Sequence, residues 1–326
     1  MSNEEPKEAL IEWLEHYGIE AELQPLTGDA SLRKYYRIED SFHRGIVMDA
    51  SVQPESVAPF VDIAHRLFEA GVRTPKINAF DREQGFVFME DLGNTHFADM
   101  IESEKEIIYP KAVDTIRKMQ EADAKGLPVY DREFLRFEMD LMPEWYLKKH
   151  LGVSLSKEQE SVLENALEKI ADVVLEQPQG VFVHRDFHSR NLMFDCSDKL
   201  VVIDFQDARA GALTYDLVSL LRDVYVELDP QEVERLALHF RDLKGLDVDD
   251  ETFMKWFDFM GLQRHIKILG IFARLALRDG KKGYLEDIPL TLKYVLEITG
   301  KYNESRKFGE VLQDIVSRHS RLDRES

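Results

Sequence analysis

His184-Arg185-Asp186-Phe187-His188-Ser189-Arg190-Asn191 is the most informative run in the chain. The apolar run Val181-Phe182-Val183 leads into it and Leu192-Met193-Phe194 leads out, so Asp186 and Asn191 fall on a loop between two short strands. Further on, Leu200-Val201-Val202-Ile203 reads as a third strand that ends at Asp204, followed by Phe205-Gln206-Asp207. The segment 181–204 is a β insertion with polar turns in an otherwise helical half of the chain, and such a loop is where function concentrates.

The residue types suit phosphoryl transfer. Its transition state spreads negative charge over oxygens, so the protein supplies positioning and electrostatics. Asp186 is the candidate base: a carboxylate beside the incoming hydroxyl orients it and takes its proton. Mg²⁺ wants hard oxygen ligands and binds few protein groups when phosphates are present. Asn191 through its amide oxygen and Asp204 through its carboxylate are the candidate ligands. H-x-D-x-x-x-x-N followed by a strand ending in D-F is the catalytic and metal-loop order of kinases. The bland alternative makes Asp186 a helix cap and Asn191 a turn residue; the joint pattern argues against it. His184 and His188 have the i, i+4 spacing of a zinc pair, but they flank a loop with no cysteine or third histidine near. His184 reads instead as a structural residue that bonds backbone, and Arg185 as a loop-stabilising charge. Asp216 opens an apolar-periodic helix, where the dipole favours a carboxylate and where it can accept N–H bonds from the loop. Asp207 is open between a metal ligand and an acceptor behind the ligands.

Toward the N-terminus, residues 7–17 carry Leu10, Ile11, Leu14 and Tyr17 on one helical face that stops at Gly18. Strands are expected at 21–26, 34–39, 44–49, 76–80 and 85–89, with a turn-rich segment 27–31 after the first. A helix follows Pro54, with Val57, Phe60, Val61, Ala64, Leu67 and Phe68 on one face and Gly71 as its stop. After Met89-Glu90-Asp91-Leu92-Gly93-Asn94 the pattern turns helical: 104–121, 156–176, 214–228, 230–243, 249–279, 287–300 and 304–318. The expectation is an α+β chain, with a small antiparallel β-sheet lobe over 1–92 and a mainly helical lobe over 93–326.

Lysine and arginine number 42 against 62 acidic residues, a formal net charge of −20. Such a surface repels nucleic-acid phosphate and anionic lipid, so no nucleic acid and no membrane is expected as partner. The one cysteine, Cys196, allows no intrachain disulfide and reads as a small buried core residue. The start MSNEEPKEAL lacks the basic and apolar regions of a signal peptide. No stretch reaches the roughly 18 apolar residues of a membrane span. A cytoplasmic monomer is expected.

The chain resembles the aminoglycoside phosphotransferase and choline kinase superfamily, relatives of protein kinases. Within it, GDASLRKYYR (28–37), MDA (48–50), MEDLGN (89–94), EMDLMPEWYLKKHLG (138–152), HRDFHSRNLM (184–193), IDFQDARAGALTYDLVSLLRD (203–223) and MGLQRHIKILGIFARLALRDGK (260–281) look like the bacterial N-acetylmuramate/N-acetylglucosamine anomeric kinases of cell-wall recycling. The resemblance runs from about residue 25 to residue 300. It implies a protein-kinase-like two-lobed fold, ATP and Mg²⁺, and a small-molecule sugar acceptor phosphorylated on its anomeric hydroxyl. Backbone groups of Glu90 and Leu92 would hold adenine. The turn at Gly28 would cover the phosphates, with Arg33 and Lys34 as phosphate cations or, alternatively, a solvated strand edge.

The third strand departs from the wider kinase pattern: Ile46-Val47-Met48-Asp49-Ala50 has no lysine for the phosphates. For the acceptor, one candidate wall contains Glu138, Glu144, Trp145 and Tyr146, and another Gln263, Arg264, His265 and Lys267. A sugar favours a stacked aromatic with polar groups at its rim, which Trp145 would give unless it packs in the core. Arg264 or Lys267 would pair with an acceptor carboxylate or lie on an exposed helix face. Two readings compete with the sugar kinase: an aminoglycoside- or choline-type kinase, and a nucleotide-binding pseudokinase, which only the missing strand lysine supports.

Overall fold

Helix α1 (Glu8–Glu15) leads into strands β1 (Gln24–Leu26), β2 (Lys34–Glu39) and β3 (Arg44–Asp49), helix α2 (Val57–Glu69), and strands β4 (Ile77–Asp81) and β5 (Phe86–Met89). The computed structural model describes residues 8–26 and 32–325; the turn 27–31, Gly28 included, lies outside the described residues. The five strands make one antiparallel sheet in the order β1-β2-β3-β5-β4. Leu10, Trp13 and Leu14 of α1, at i, i+3 and i+4, pack with Tyr36, Ile38, Val47, Phe86 and Phe88 of the sheet. Each large apolar side chain so buried stabilises by about 1.5–3 kcal/mol. Side chains alternate across a strand, so the β2–β3 register has consequences. Tyr36 opposite Val47 and Lys34 opposite Asp49 share the α1 face, while Tyr35 opposite Met48 lies on the other. Helix α2 buries Val57, Phe60, Ile63, Ala64 and Leu67, and ends where Gly71 takes φ +73°.

The rest of the chain is helix-rich. It runs α3 (Phe97–Met119), α4 (Arg132–Met139), a π-helical segment (Met142–His150), α5 (Lys157–Glu176), β6 (Val181–Val183), β7 (Leu192–Phe194), β8 (Leu200–Val202), β9 (Arg209–Gly211), α6 (Tyr215–Leu221), α7 (Pro230–Leu243), α8 (Asp250–Arg278), α9 (Ile288–Lys301) and α10 (Asn303–Glu325). This is the α+β arrangement expected, a sheet lobe followed by helices.

Several elements differ from the sequence expectation. The strand expected over 21–26 is confined to Gln24–Leu26. Helix α3 starts at Phe97, seven residues before 104, and tolerates Pro110; Phe97 is fully buried and its ring stacks on Phe194 at 6.2 Å. Helix α4 and the π-segment are additions to the expected elements, although Asp131 caps α4 by accepting the Phe134 N–H at 2.9 Å. Helix α6 stops at Leu221 rather than 228. The insertion 181–204 contributes to two two-stranded sheets, because β6 pairs with the unexpected β9 and β7 with β8. Cys196 is exposed rather than buried, since it sits in the β7–β8 turn where Asp198 adopts φ +56°.

The chain forms two compact units: Met1–Asp99 with Arg190–Gln206, and Met100–Ser189 with Asp207–Ser326. The first unit thus takes in the β7–β8 hairpin as well as the sheet. Val202 N–H donates to the Arg73 carbonyl at 2.9 Å and Phe194 N–H to that of Thr95 at 2.9 Å. In the second unit α8 is the central helix, packed on α5, α6, α9 and the π-segment. Gly270 permits the closest of these approaches. A Cβ there would meet the Leu141 carbonyl carbon at 2.4 Å and the Met142 nitrogen at 2.6 Å. Among the described residues no helix is long and apolar enough to cross a membrane.

Candidate active site

In the second unit, β6 delivers the chain to His184, and two buried aspartates hold the loop beyond it. Asp216, in the first turn of α6, accepts the His184 N–H at 2.8 Å and the Arg185 N–H at 3.0 Å. Asp223, just past α6, accepts the Ser189 N–H at 2.9 Å and the Tyr225 N–H at 3.0 Å. The loop is therefore clamped at both ends by carboxylates that flank one short helix, Asp216 in its first turn and Asp223 just past its end. Burial pushes the Asp216 carboxyl up to about 6, against the pull of His184 and the two N–H bonds. His184 is fully buried, and its Nδ1 accepts the Asp186 N–H at 3.2 Å. Arg185 takes φ +81°, a left-handed conformation that costs a non-glycine residue on the order of 1–3 kcal/mol. The bonds around Arg185 offset that strain.

Those bonds centre on Glu138, from the C-terminal end of α4. Arg185 Nη2 donates to Glu138 at 2.8 Å, Lys267 Nζ lies at 3.0 Å and Gln263 Nε2 at 3.3 Å, and the Tyr130 hydroxyl donates to it as well. Lys267 also donates to the Tyr215 hydroxyl at 3.0 Å. Burial pulls the Lys267 ammonium down, but Glu138 and the nearby phenol outweigh it and the group stays charged. Arg264 donates to the Arg185 carbonyl at 2.6 Å and its Nη1 lies 3.7 Å from Asp186 Oδ1. The Asp186 side chain is 44% exposed, while Arg264, at 4%, sits behind it. Burial pushes the Asp186 carboxyl up, yet Lys267, Arg264, His188 and Arg185 outweigh it and hold the group well below the usual carboxylate range. The result is an open-faced carboxylate whose ionised form is favoured by the cations behind it.

In the first unit, Asn191 and Asp204 are brought together. Asn191 Nδ2 donates to Asp204 Oδ2 at 3.4 Å, the Ile203 N–H donates to the Asn191 carbonyl at 3.1 Å, and Gln206 Nε2 donates to Asp204 Oδ1 at 2.8 Å. Asp204 takes φ +62°, left-handed like Arg185 and Asp198, and is exposed. Phe205 is buried and stacks on Phe60 at 4.9 Å. An amide and a carboxylate at this spacing fit a hard cation that keeps other oxygens from phosphate and water. Among the described residues no group of three or more His, Cys, Asp or Glu could hold a metal ion.

The segment after β5 is tightly held. Glu90 N–H donates to the Lys76 carbonyl at 2.9 Å, and its carboxylate takes Arg73 Nη2 at 2.6 and 2.7 Å. Leu92 is half-buried. Arg37 Nη2 bonds Asp91 at 3.1 Å, the Gly93 carbonyl at 3.2 Å and Asn94 at 2.8 Å, while Arg44 bonds Asp91 at 3.0 Å. Local sequence carries little sign of this two-arginine clamp, whose partners lie 47–57 residues apart.

Other candidates are dispersed. Arg33 and Lys34 are both half-buried at the entry to β2. Asp49 is 4% exposed on the α1 face and accepts the Ser51 N–H at 2.9 Å, so it is enclosed rather than presented to a phosphate. Trp145 is half-buried in the π-segment, with Lys149 Nζ 3.6 Å from its ring centroid. Glu138 and His265, expected at the acceptor, lie in the interior. The His265 ring is fully buried, stacks on Tyr294 and bonds the Arg222 carbonyl at 2.9 Å; burial pushes it down to about 3, so it is neutral packing. Asp207 is exposed in the second unit. Asp223 is a residue of this site that sequence reasoning left without a role, while Lys267, expected to pair with an acceptor carboxylate or to lie on an exposed helix face, is buried against Glu138. An aspartate seven positions after Asp216, closing the same helix, was the available signal for Asp223.

The chain belongs to the phosphotransferase enzyme family, whose model matches residues 22–256. It is 37% identical over 302 residues to an N-acetylmuramate/N-acetylglucosamine kinase of Pseudomonas aeruginosa, covering 90% of this chain and 89% of that one. A protein of the same description from Neisseria meningitidis is 38% identical over 300 residues, covering 88% and 89%. Among solved structures, the ADP-bound aminoglycoside phosphotransferase APH(2'')-Ib has a TM-score of 0.62 at 16% identity, covering 90% of this chain and 99% of that one. Choline kinase LicA from Streptococcus pneumoniae has a TM-score of 0.62 at 14% identity, covering 89% and 98%. These two show a shared fold.

Proposed function

We propose that this chain is an ATP-dependent cytoplasmic sugar kinase that phosphorylates the anomeric hydroxyl of N-acetylmuramate and N-acetylglucosamine, giving the sugar 1-phosphate in cell-wall recycling. The observation that carries the chemistry is Asp186: an ionised carboxylate, 44% exposed, with Arg264 and Lys267 behind it. The acceptor class is supported by relatives of that description matched over about nine-tenths of the chain.

In this reading Asp186 accepts a hydrogen bond from the C1 hydroxyl, turns its oxygen toward phosphorus and takes the proton as the P–O bond forms. Mg²⁺, held by Asn191 and Asp204, would supply positive charge against the phosphate oxygens. Backbone groups of Glu90 and Leu92 take adenine, and the segment that carries Gly28 and the two candidate cations Arg33 and Lys34 covers the phosphates. Trp145 offers a ring face to the sugar. Glu138 and Arg264 act from behind, by holding Arg185 and Asp186; His184 and Asp216 support the loop. The functional lobes are 1–92 and 93–326, in a monomer.

Incubating the chain with Mg-ATP and each amino sugar, followed by ³¹P NMR, tests this. ADP and a phosphorus signal coupled to the sugar H1 are expected. No ADP with either sugar would remove the substrate assignment.

A further inference from the structure

Strand β3 carries no lysine, and the one acidic residue at that place, Asp49, is enclosed on the α1 face of the sheet. A cation for the phosphates must come from elsewhere, and two candidates adjoin: Arg33 and Lys34. The β2–β3 register separates them. Lys34 stands opposite Asp49, so both side chains leave the sheet on the α1 side. Tyr35 stands opposite Met48 and leaves on the other side. Arg33, two positions before Tyr35, follows it: the two side chains are hydrogen-bonded. The Arg33 guanidinium carbon lies 6.0 Å from the centroid of the Phe60 ring. Phe60 in turn stacks on Phe205, the residue after Asp204. The Tyr35 phenol thus lies within reach of the charges of both Arg33 and Asp204.

We propose that Arg33, steered by the Tyr35 hydroxyl and braced on Phe60, is the phosphate-binding cation that replaces the missing strand lysine, and that Lys34 is not. Tyr35 is then a positioning residue: it aims the guanidinium to the side of the sheet where Asp204 lies. Guanidinium suits the task, because its fork of donors bonds a phenol and a phosphate at once, whereas an ammonium is a single point charge. The inference rests on the nucleotide reading of Asp204.

Calorimetric titration of the full chain with Mg-ATP and, separately, with adenosine tests it. Losing a charge-assisted bond to phosphate predicts that Arg33→Ala weakens Mg-ATP by about ten-fold or more, while adenosine affinity changes by less than about two-fold. Tyr35→Phe is expected to weaken Mg-ATP by a smaller factor in the same nucleotide-selective way, and Arg33→Lys to recover part of the loss. Thermal melts of each variant report folding independently. Wild-type affinity for Mg-ATP in Arg33→Ala, an equal loss of ATP and adenosine, or a larger ATP-selective loss in Lys34→Ala overturns the proposal. Asp204→Asn separates the two levels. If it weakens Mg-ATP but Arg33→Ala does not, only this inference fails; if the wild-type chain binds no Mg-ATP, the nucleotide reading fails with it.

Discussion

Arg264 reaches from the middle of α8 to place Nη1 3.7 Å from Oδ1 of Asp186, and the same nitrogen donates to the carbonyl of Arg185 at 2.6 Å. One side chain thus fixes the backbone before Asp186 and faces the charge of its carboxylate. Arg264→Ala removes both effects. A charge-assisted hydrogen bond is worth about 1.5–3 kcal/mol, so kcat should fall by roughly ten- to hundred-fold. Arg264→Lys should fall in between, because it restores charge without the fork. Steady-state kinetics with a thermal melt for each variant separates this from unfolding.

Glu138 balances Arg185 and Lys267, and all three lie in the interior or at its margin. Removing one partner of a buried ion pair is strongly destabilising, by about 3–5 kcal/mol, because a charge is left uncompensated. Glu138→Ala should therefore lower urea stability by about that amount, and Glu138→Gln by less. A double variant Glu138→Gln with Lys267→Met should recover part of the loss. Equal stability of Glu138→Ala and wild type would show that the pair is not structural.

The two loop carboxylates should titrate differently. Asp186 stays ionised across the working range, whereas burial raises Asp216 to about 6. The folded value of Asp216 lies above its unfolded one, so the folded state binds this proton more tightly. Its linked stability is fully present below about 3.9 and is lost as pH rises through about 6. For activity the sign is opposite: protonation removes the charge that grips the His184 and Arg185 N–H groups. The kcat profile should fall below pH about 6. Asp216→Asn should lower the plateau and abolish that limb; a wild-type limb in this variant would assign it elsewhere.

Gly270→Ala tests the packing that sets α8 in place. Its Cβ would meet backbone atoms of Leu141 and Met142 at 2.4 and 2.6 Å. Backbone cannot rotate away as a side chain can, so a loss of about 1–3 kcal/mol is expected in denaturant unfolding. Because Arg264 and Lys267 precede Gly270 on the same helix, kcat should drop as well.

How far the sequence carries the fold depends on whether the signal is local. Strands 34–39 and 44–49 alternate against a buried face and stand out. Helix α4 and the π-segment do not, because Arg132–Met139 is short and Pro143 interrupts the pattern. Asp186, Asn191 and Asp204 are conspicuous through their spacing alone. Their surroundings are not, since Gln263 meets Glu138 across 125 residues and Arg264 meets Arg185 across 79. His265 shows the opposite limit: a histidine beside Arg264 on a helix invites a functional reading, but one position along a helix turns the side chain by about 100°. That rotation takes it into the packing against Tyr294.

Whether Asp186 is the base is decided by ADP release from Asp186→Asn with N-acetylmuramate and Mg-ATP, beside calorimetric binding of Mg-ATP to the same variant. A fall in kcat of at least about a hundred-fold, the scale of general-base catalysis, is predicted, with nucleotide affinity near that of wild type. Turnover within a few-fold of wild type would contradict it.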